Sequence, residues 1–163
     1  MKSNQNKVAT IDTNVCAIAA KVFLDAGESM ASTMRKNSMN FFVQYVGPCA
    51  VNLAFACELY LKALLAEKGN SITKTHALKD LFELLDQTTQ DEIRNEYDTF
   101  PLTPPIFSID ECLTVHSNAF VDWRYYYEVN PSKTLTFDPP SLYDLAISLN
   151  HVYHKQEGTS GAA

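Results

Sequence analysis

Hydrophobic positions recur along this chain at helical spacing, and in one stretch they fill nearly every face. Val51 to Lys68 reads VNLAFACELYLKALLAEK, and before its end it carries only two charged side chains, Glu58 and Lys62. Four residues apart, they share one helix face, a turn from each other. A helix apolar on most faces has to be surrounded by other helices. The pattern therefore predicts a central helix in a bundle, with Glu58 and Lys62 as either a seam or a site.

The flanking segments read as helices that could surround it. Asp12 or Thr13 caps a first helix with an apolar stripe of Val15, Ile18, Ala19, Val22, Phe23, Ala26, Met30 and Met34. Arg35 to Ser38 marks a break. Gly47-Pro48 is either a kink or the start of the central helix, and Gly69-Asn70 is its stop. A third helix starts at Thr73 or Thr75 and covers HALKDLFELLDQ. Thr89-x-x-Glu92 has capping-box spacing for a short fourth helix around Ile93 to Tyr97. Pro101, Pro104 and Pro105 form a rigid connector.

Ser108-x-x-Glu111 is a second capping box. It opens a fifth helix with Ile109, Cys112, Leu113, His116, Phe120, Trp123 and Tyr127 on one side, ending near Asn130-Pro131. Lys133 to Phe137 reads as short and extended. Pro139-Pro140-Ser141 opens the last helix, whose inward face is Leu142, Leu145, Ala146, Leu149, Val152 and Tyr153. The expected fold is all-α, a mostly antiparallel up-and-down bundle of about five to six helices. It forms one domain over residues 1–157, with a small mobile tail from Gly158 to Ala163.

Composition narrows the function classes. A chain of 163 residues buries roughly 70% of its unfolded surface and stands without disulfide or metal. The net charge of −6 argues against a general nucleic-acid coat or an anionic-membrane binder, and leaves room for a local basic site. Cys16, Cys49, Cys57 and Cys112 form no C-x-x-C and read as buried small hydrophobes in a reducing compartment. The polar first fourteen residues make no signal peptide, and Val51 to Ala66 is too short and polar for a membrane span. The expectation is a cytoplasmic protein with no membrane partner. No phosphate-binding loop, dinucleotide fingerprint, zinc-protease motif or nucleophile elbow is present, so no cofactor is expected. His151 and His154 lie three apart with no third ligand evident, so no metal is expected.

A few residues remain as candidates for chemistry. Glu58 forms an i, i+4 pair with Lys62, or it meets a cation from another helix, with Arg124 the expected partner. Arg124 sits among aromatics. It stacks on a ring or pairs with Glu128, or it grips a phosphate. Tyr125, Tyr126 and Tyr127 cannot all face inward, so exposed tyrosines serve a dimer seam or base stacking. His76 opens a helix and belongs to its cap or packing, or it serves as a base. His116, two turns before Arg124, is a core histidine or shares a cleft with it.

The order of A-F-A-C-E-L-Y-L-K-A-L-L, a glycine, H-A-L-K-D-L-F-E-L-L and then A-F-V-D-W-R-Y-Y-Y-E resembles the HEPN superfamily. The resemblance runs from about Pro48 to Glu128. It implies a helical bundle that commonly dimerises, found in prokaryotic defence and toxin–antitoxin systems. Many such proteins are metal-independent ribonucleases with an Arg followed, after four to six residues, by a His. Here Asn130 stands in that window after Arg124. An Asn side chain hydrogen-bonds but does not shuttle protons near neutral pH. The first expectation is therefore a non-catalytic binding module, a homodimer, contacting RNA, a nucleotide or a cognate partner protein. Its binding set is Glu58, Lys62, Arg124, Tyr125, Tyr126 and Asn130. The alternatives are a ribonuclease using Arg124 with His116 or His76 as a displaced base, and a structural subunit of a larger complex.

Overall fold

The computed structural model describes residues 12–36, 39–70, 74–99, 106–128 and 134–160. Among them stand seven α-helices and no strand. Helix α1 (Thr13–Lys36) is capped by Asp12, whose Oδ1 accepts from the Val15 N–H at 3.1 Å. Its buried stripe is Cys16, Ala17, Ala20, Leu24, Gly27, Ala31 and Met34. The expected stripe is inward only in part: Met34 is buried and Phe23 and Met30 pack against the core, but Val15, Ile18 and Val22 are 62%, 67% and 62% exposed. The helix crosses the next one closely. A Cβ on Gly27 would lie 2.5 Å from Leu53 Cδ2, so the crossing requires a residue without a side chain at that point.

Helix α2 (Met39–Glu67) is the central element, and it contacts helices on several sides. It passes through Pro48 without ending, so Gly47-Pro48 is not its start. Asn52 Nδ2 donates to the Pro48 carbonyl at 2.7 Å. The helix is longer than expected from sequence. Gln44–Glu67 is long and apolar enough to cross a membrane, yet 67% of its apolar window is buried inside the bundle. Gly69 ends the helix at φ 72°. Its N–H bonds to the Ala66 carbonyl, and the Asn70 N–H bonds to that of Leu65. This is a Schellman motif, which needs a left-handed residue that glycine adopts without strain.

Helix α3 (Leu78–Glu83) starts later than expected, because Ala77 is its extended N-cap. Helix α4 (Gln87–Thr99) starts earlier. Asp86, not Thr89, caps it, accepting from the Thr89 N–H at 3.0 Å and the Thr89 hydroxyl at 2.9 Å. The expected fifth helix is two: α5 (Ile109–Val115) and α6 (Ala119–Arg124), with a 3-10 turn at Tyr126–Glu128. The Ser108–Glu111 capping box is formed in full. The break at Ser117 follows from a long-range bond, since the Ser117 carbonyl accepts the Leu78 N–H at 2.8 Å. Helix α7 (Pro139–Ser160) is capped by Asp138, whose carboxylate takes the Ser141 N–H and hydroxyl. It extends through Ser160, so residues 158–160, expected as tail, are helical. The segment 134–138 has no regular secondary structure. Asn130 and the connector prolines lie outside the described residues, as does the Tyr127 side chain.

Candidate functional site

The site begins with a buried carboxylate. Glu58 is 1% exposed in the middle of α2. Lys62, one turn on, reaches its Oε1 at 2.7 Å. The other partner is His76, whose Nδ1 lies 3.0 Å from both Glu58 oxygens. A carboxylate offers lone pairs only, so Nδ1 carries the hydrogen and donates. In the neutral ring, Nε2 is then the acceptor, on a side chain 47% exposed.

The loop before α3 holds His76 in place. The Ala77 N–H donates to Thr75 Oγ1 at 3.1 Å, and the Leu78 N–H ties the loop to Ser117 between α5 and α6. That tie brings α6 beside the histidine. The His76 ring lies 5.4 Å from the Phe120 ring, which is itself stacked at 4.7 Å on Phe55 of α2. The Arg124 guanidinium lies 5.6 Å from the same Phe120 centroid and 5.3 Å from that of Tyr125.

His76 and Arg124 thus both lie beside Phe120, and His76 links that ring to the Glu58–Lys62 pair. The i, i+4 pair of Glu58 with Lys62 is formed, and the partner from another element is His76 rather than the expected Arg124. Lys62 and His76 satisfy the carboxylate, and among the described residues Arg124 has no carboxylate within ion-pair distance. The Arg124 guanidinium lies beside two rings, as the stacked reading expects. An exposed guanidinium beside aromatic rings has N–H groups that suit a further acceptor. Tyr125 and Tyr126 are 39% and 57% exposed. Tyr126 covers Gly47 of α2 and neighbours Trp123, whose ring centroid is 6.5 Å away.

His116 does not join this cluster. It is fully buried. Its Nδ1 lies 3.0 Å from the Cys112 carbonyl, so Nδ1 donates, and its Nε2 accepts from the Asp138 N–H at 3.1 Å. Both ring nitrogens are used in joining α5 to the start of α7. Burial lowers its pKa and keeps it neutral. It sits as a core histidine with both ring nitrogens engaged. His151 and His154 face Glu96 and Glu157 at 3.4 and 3.2 Å. All four cysteines are buried and free, and burial pushes the Cys49 and Cys112 thiols up to about 12, which makes them poor nucleophiles.

Comparison with known families agrees with this arrangement of helices. The model of the HEPN domain matches residues 20–134, well over half of the chain. The chain belongs to the HEPN domain family. No curated protein and no solved structure matches it. The HEPN match spans every member of the cluster, from Glu58 through His76 to Arg124. The link between Glu58 and His76 and the place of Phe120 between His76 and Arg124 are not evident from the sequence. The available signal was the pairing of a lone buried-type carboxylate with a histidine opening the next helix.

Proposed function

We propose that this HEPN domain is a phosphodiester-binding module that holds RNA or a nucleotide at Arg124 beside His76. The observation carrying this reading is the shared Phe120 ring. An exposed guanidinium lies 5.6 Å from it and a half-exposed imidazole 5.4 Å from it, on a chain of net charge −6. Arg suits bidentate phosphate contact, and the adjoining exposed Tyr125 suits base stacking. HEPN membership supports an RNA- or nucleotide-related role, with a defence setting as its natural context.

One observation favours a second reading, metal-independent RNA cleavage with His76 as the proton carrier. Glu58 orients the His76 ring and leaves Nε2 as its basic nitrogen, which is the arrangement a general base requires. Arg124 would then stabilise charge on the phosphate.

The reading includes a homodimer. Its support is the exposed α1 stripe, where Val15, Ile18 and Val22 follow the three-then-four spacing of a seam that takes a single helix. A second copy of α1 carries the same seam, so pairing the two is self-complementary.

The test is incubation of mixed RNA with the parent, Arg124→Ala and His76→Ala under chelator. Retention of intact RNA by the parent, lost in Arg124→Ala, supports the binding module. Cleavage lost in both variants supports the second reading. RNA neither retained nor cut by the parent overturns both.

A further inference from the structure

Asp144 sits in the second turn of α7 with 6% of its surface exposed, and its Oδ2 has no hydrogen-bond partner among the described residues. Once ionised there, the carboxylate is a buried charge without compensation. A fold relieves such a charge by holding a proton on it or by letting water in. Asp138, the cap of the same helix, adds a second negative charge that bears on Asp144. Burial and that charge raise the Asp144 carboxyl to about 6.

Asp138 is also where the strap of residues 134–138 is fastened. Its N–H donates to His116 Nε2 at 3.1 Å, and its carboxylate holds the Ser141 N–H and hydroxyl at the start of α7. The preceding residue, Phe137, packs its ring 6.0 Å from that of His116 and 5.8 Å from that of Trp123 on α6. A shift of the first turns of α7 that hydrates Asp144 therefore pulls on the fastening of the strap, and with it on the ring beside Trp123.

The other titratable groups around Asp144 supply no counter-charge. Burial holds Tyr97 of α4, Cys112 of α5 and Cys57 of α2 in their protonated forms, and the Cys57 Sγ donates to the Leu142 carbonyl at 3.7 Å. Burial, with Glu28 and Asp25 of α1, pushes the neighbouring Tyr143 up to about 12. His116 acts with the opposite sign. Once protonated, its Nε2 donates and no longer accepts the Asp138 N–H, so it loosens the strap as pH falls.

We infer that Asp144 is a proton-operated latch: its neutral carboxyl keeps the start of α7 seated and the strap held against Trp123, and its ionisation releases the strap. The sign follows from the raised carboxyl, since the seated form loses its advantage as pH rises through about 6. The latch stands apart from the phosphodiester reading and acts on the segment that faces α6.

Trp123 is the single tryptophan of the chain, so its emission reads the strap directly. The test follows that emission and amide hydrogen exchange of the full chain from about pH 5 to about pH 7.5 in the parent, Asp144→Asn and Asp138→Asn. The expected result is a shift to longer wavelength as pH rises, with a midpoint at about 6 in the parent and no shift in Asp144→Asn. Asp138→Asn keeps a capping side chain without its charge, and its midpoint is expected at lower pH than the parent's. At the upper pH, exchange at the Asp138 and Ser141 amides is expected to be roughly tenfold to a hundredfold faster in the parent than in Asp144→Asn. A flat parent emission over this range, or an identical shift in Asp144→Asn, overturns the latch. Faster exchange spread evenly over all the helices also overturns it, because that is a global loss of stability and not a local release.

Discussion

Nδ1 of His76 stands equidistant, at 3.0 Å, from the two carboxylate oxygens of Glu58. Eighteen residues separate them along the chain, and the contact pins the loop before α3 to the central helix. Removing either partner has a different consequence. Glu58 is buried, and its loss leaves Lys62, with a side chain 13% exposed, without its counter-charge. Glu58→Gln is expected to cost about 1.5–3 kcal/mol in urea unfolding. His76→Ala, at a half-exposed position, is expected to stay within about 0.5 kcal/mol. Equal losses in the two variants would mean that the histidine carries the fold.

Gly27 sets how closely α1 and α2 approach. A Cβ there would meet Leu53, which has no exposed surface to yield into. Gly27→Ala is expected to destabilise by about 1–3 kcal/mol through overpacking. Thermal melting checks this, and an unchanged or raised midpoint would show that the crossing is looser than described.

Asp144 gives the fold a pH dependence of defined sign. Burial, helped by the Asp138 charge, raises its carboxyl to about 6, and among the described residues its Oδ2 has no hydrogen-bond partner. The folded state holds this proton more tightly than the unfolded chain, where Asp titrates near about 3.9. Stability from this group is full below about pH 4 and is lost as pH rises through about 6. Asp144→Asn is therefore expected to stabilise above that pH, on the order of 1–3 kcal/mol, and to change little below about pH 4. His116 has the opposite sign: its lowered pKa removes stability as pH falls below about 6.5. Comparing variant and parent at each pH cancels that contribution. A lower melting point for Asp144→Asn at pH 7.5 would contradict the assignment.

Ile18 is the most exposed member of the α1 stripe, at 67%. Ile18→Glu is expected to convert a dimer to a monomer in light scattering while leaving the melting point nearly unchanged, because the residue makes no core contact. A parent protein already monomeric at high concentration would remove the dimer from the account.

Much of the fold was legible in the sequence where local physics decides it. The all-round apolarity of Val51 to Lys68 gave the central helix, Ser108 and Glu111 gave a cap, and Gly69 gave a stop. The orientation of α1 was legible only in part, at Phe23, Met30 and Met34, because the helix offers two apolar faces. Pattern reading favours the bulky Val15, Ile18 and Val22, whereas close packing selects Ala20, Gly27 and Ala31. The split of the fifth helix depends on Leu78 reaching across to Ser117, a bond between residues 39 positions apart. The site shows the same limit. Glu58, Lys62 and Arg124 stood out by type, but the pairing of Glu58 with His76 instead of Arg124 is set by where a loop crosses the bundle.

The central claim is that Arg124 and His76 together hold a phosphodiester. Equilibrium binding of a short single-stranded RNA to the parent, Arg124→Ala and His76→Ala proteins, with His116→Gln as a control away from the site, tests it most directly. Loss of one charge-assisted contact of about 1.5–3 kcal/mol corresponds to a drop in affinity of roughly tenfold to a hundredfold for Arg124→Ala. The account predicts that drop, a smaller one for His76→Ala, and none for folded His116→Gln. Equal affinity in the parent and Arg124→Ala proteins would contradict it.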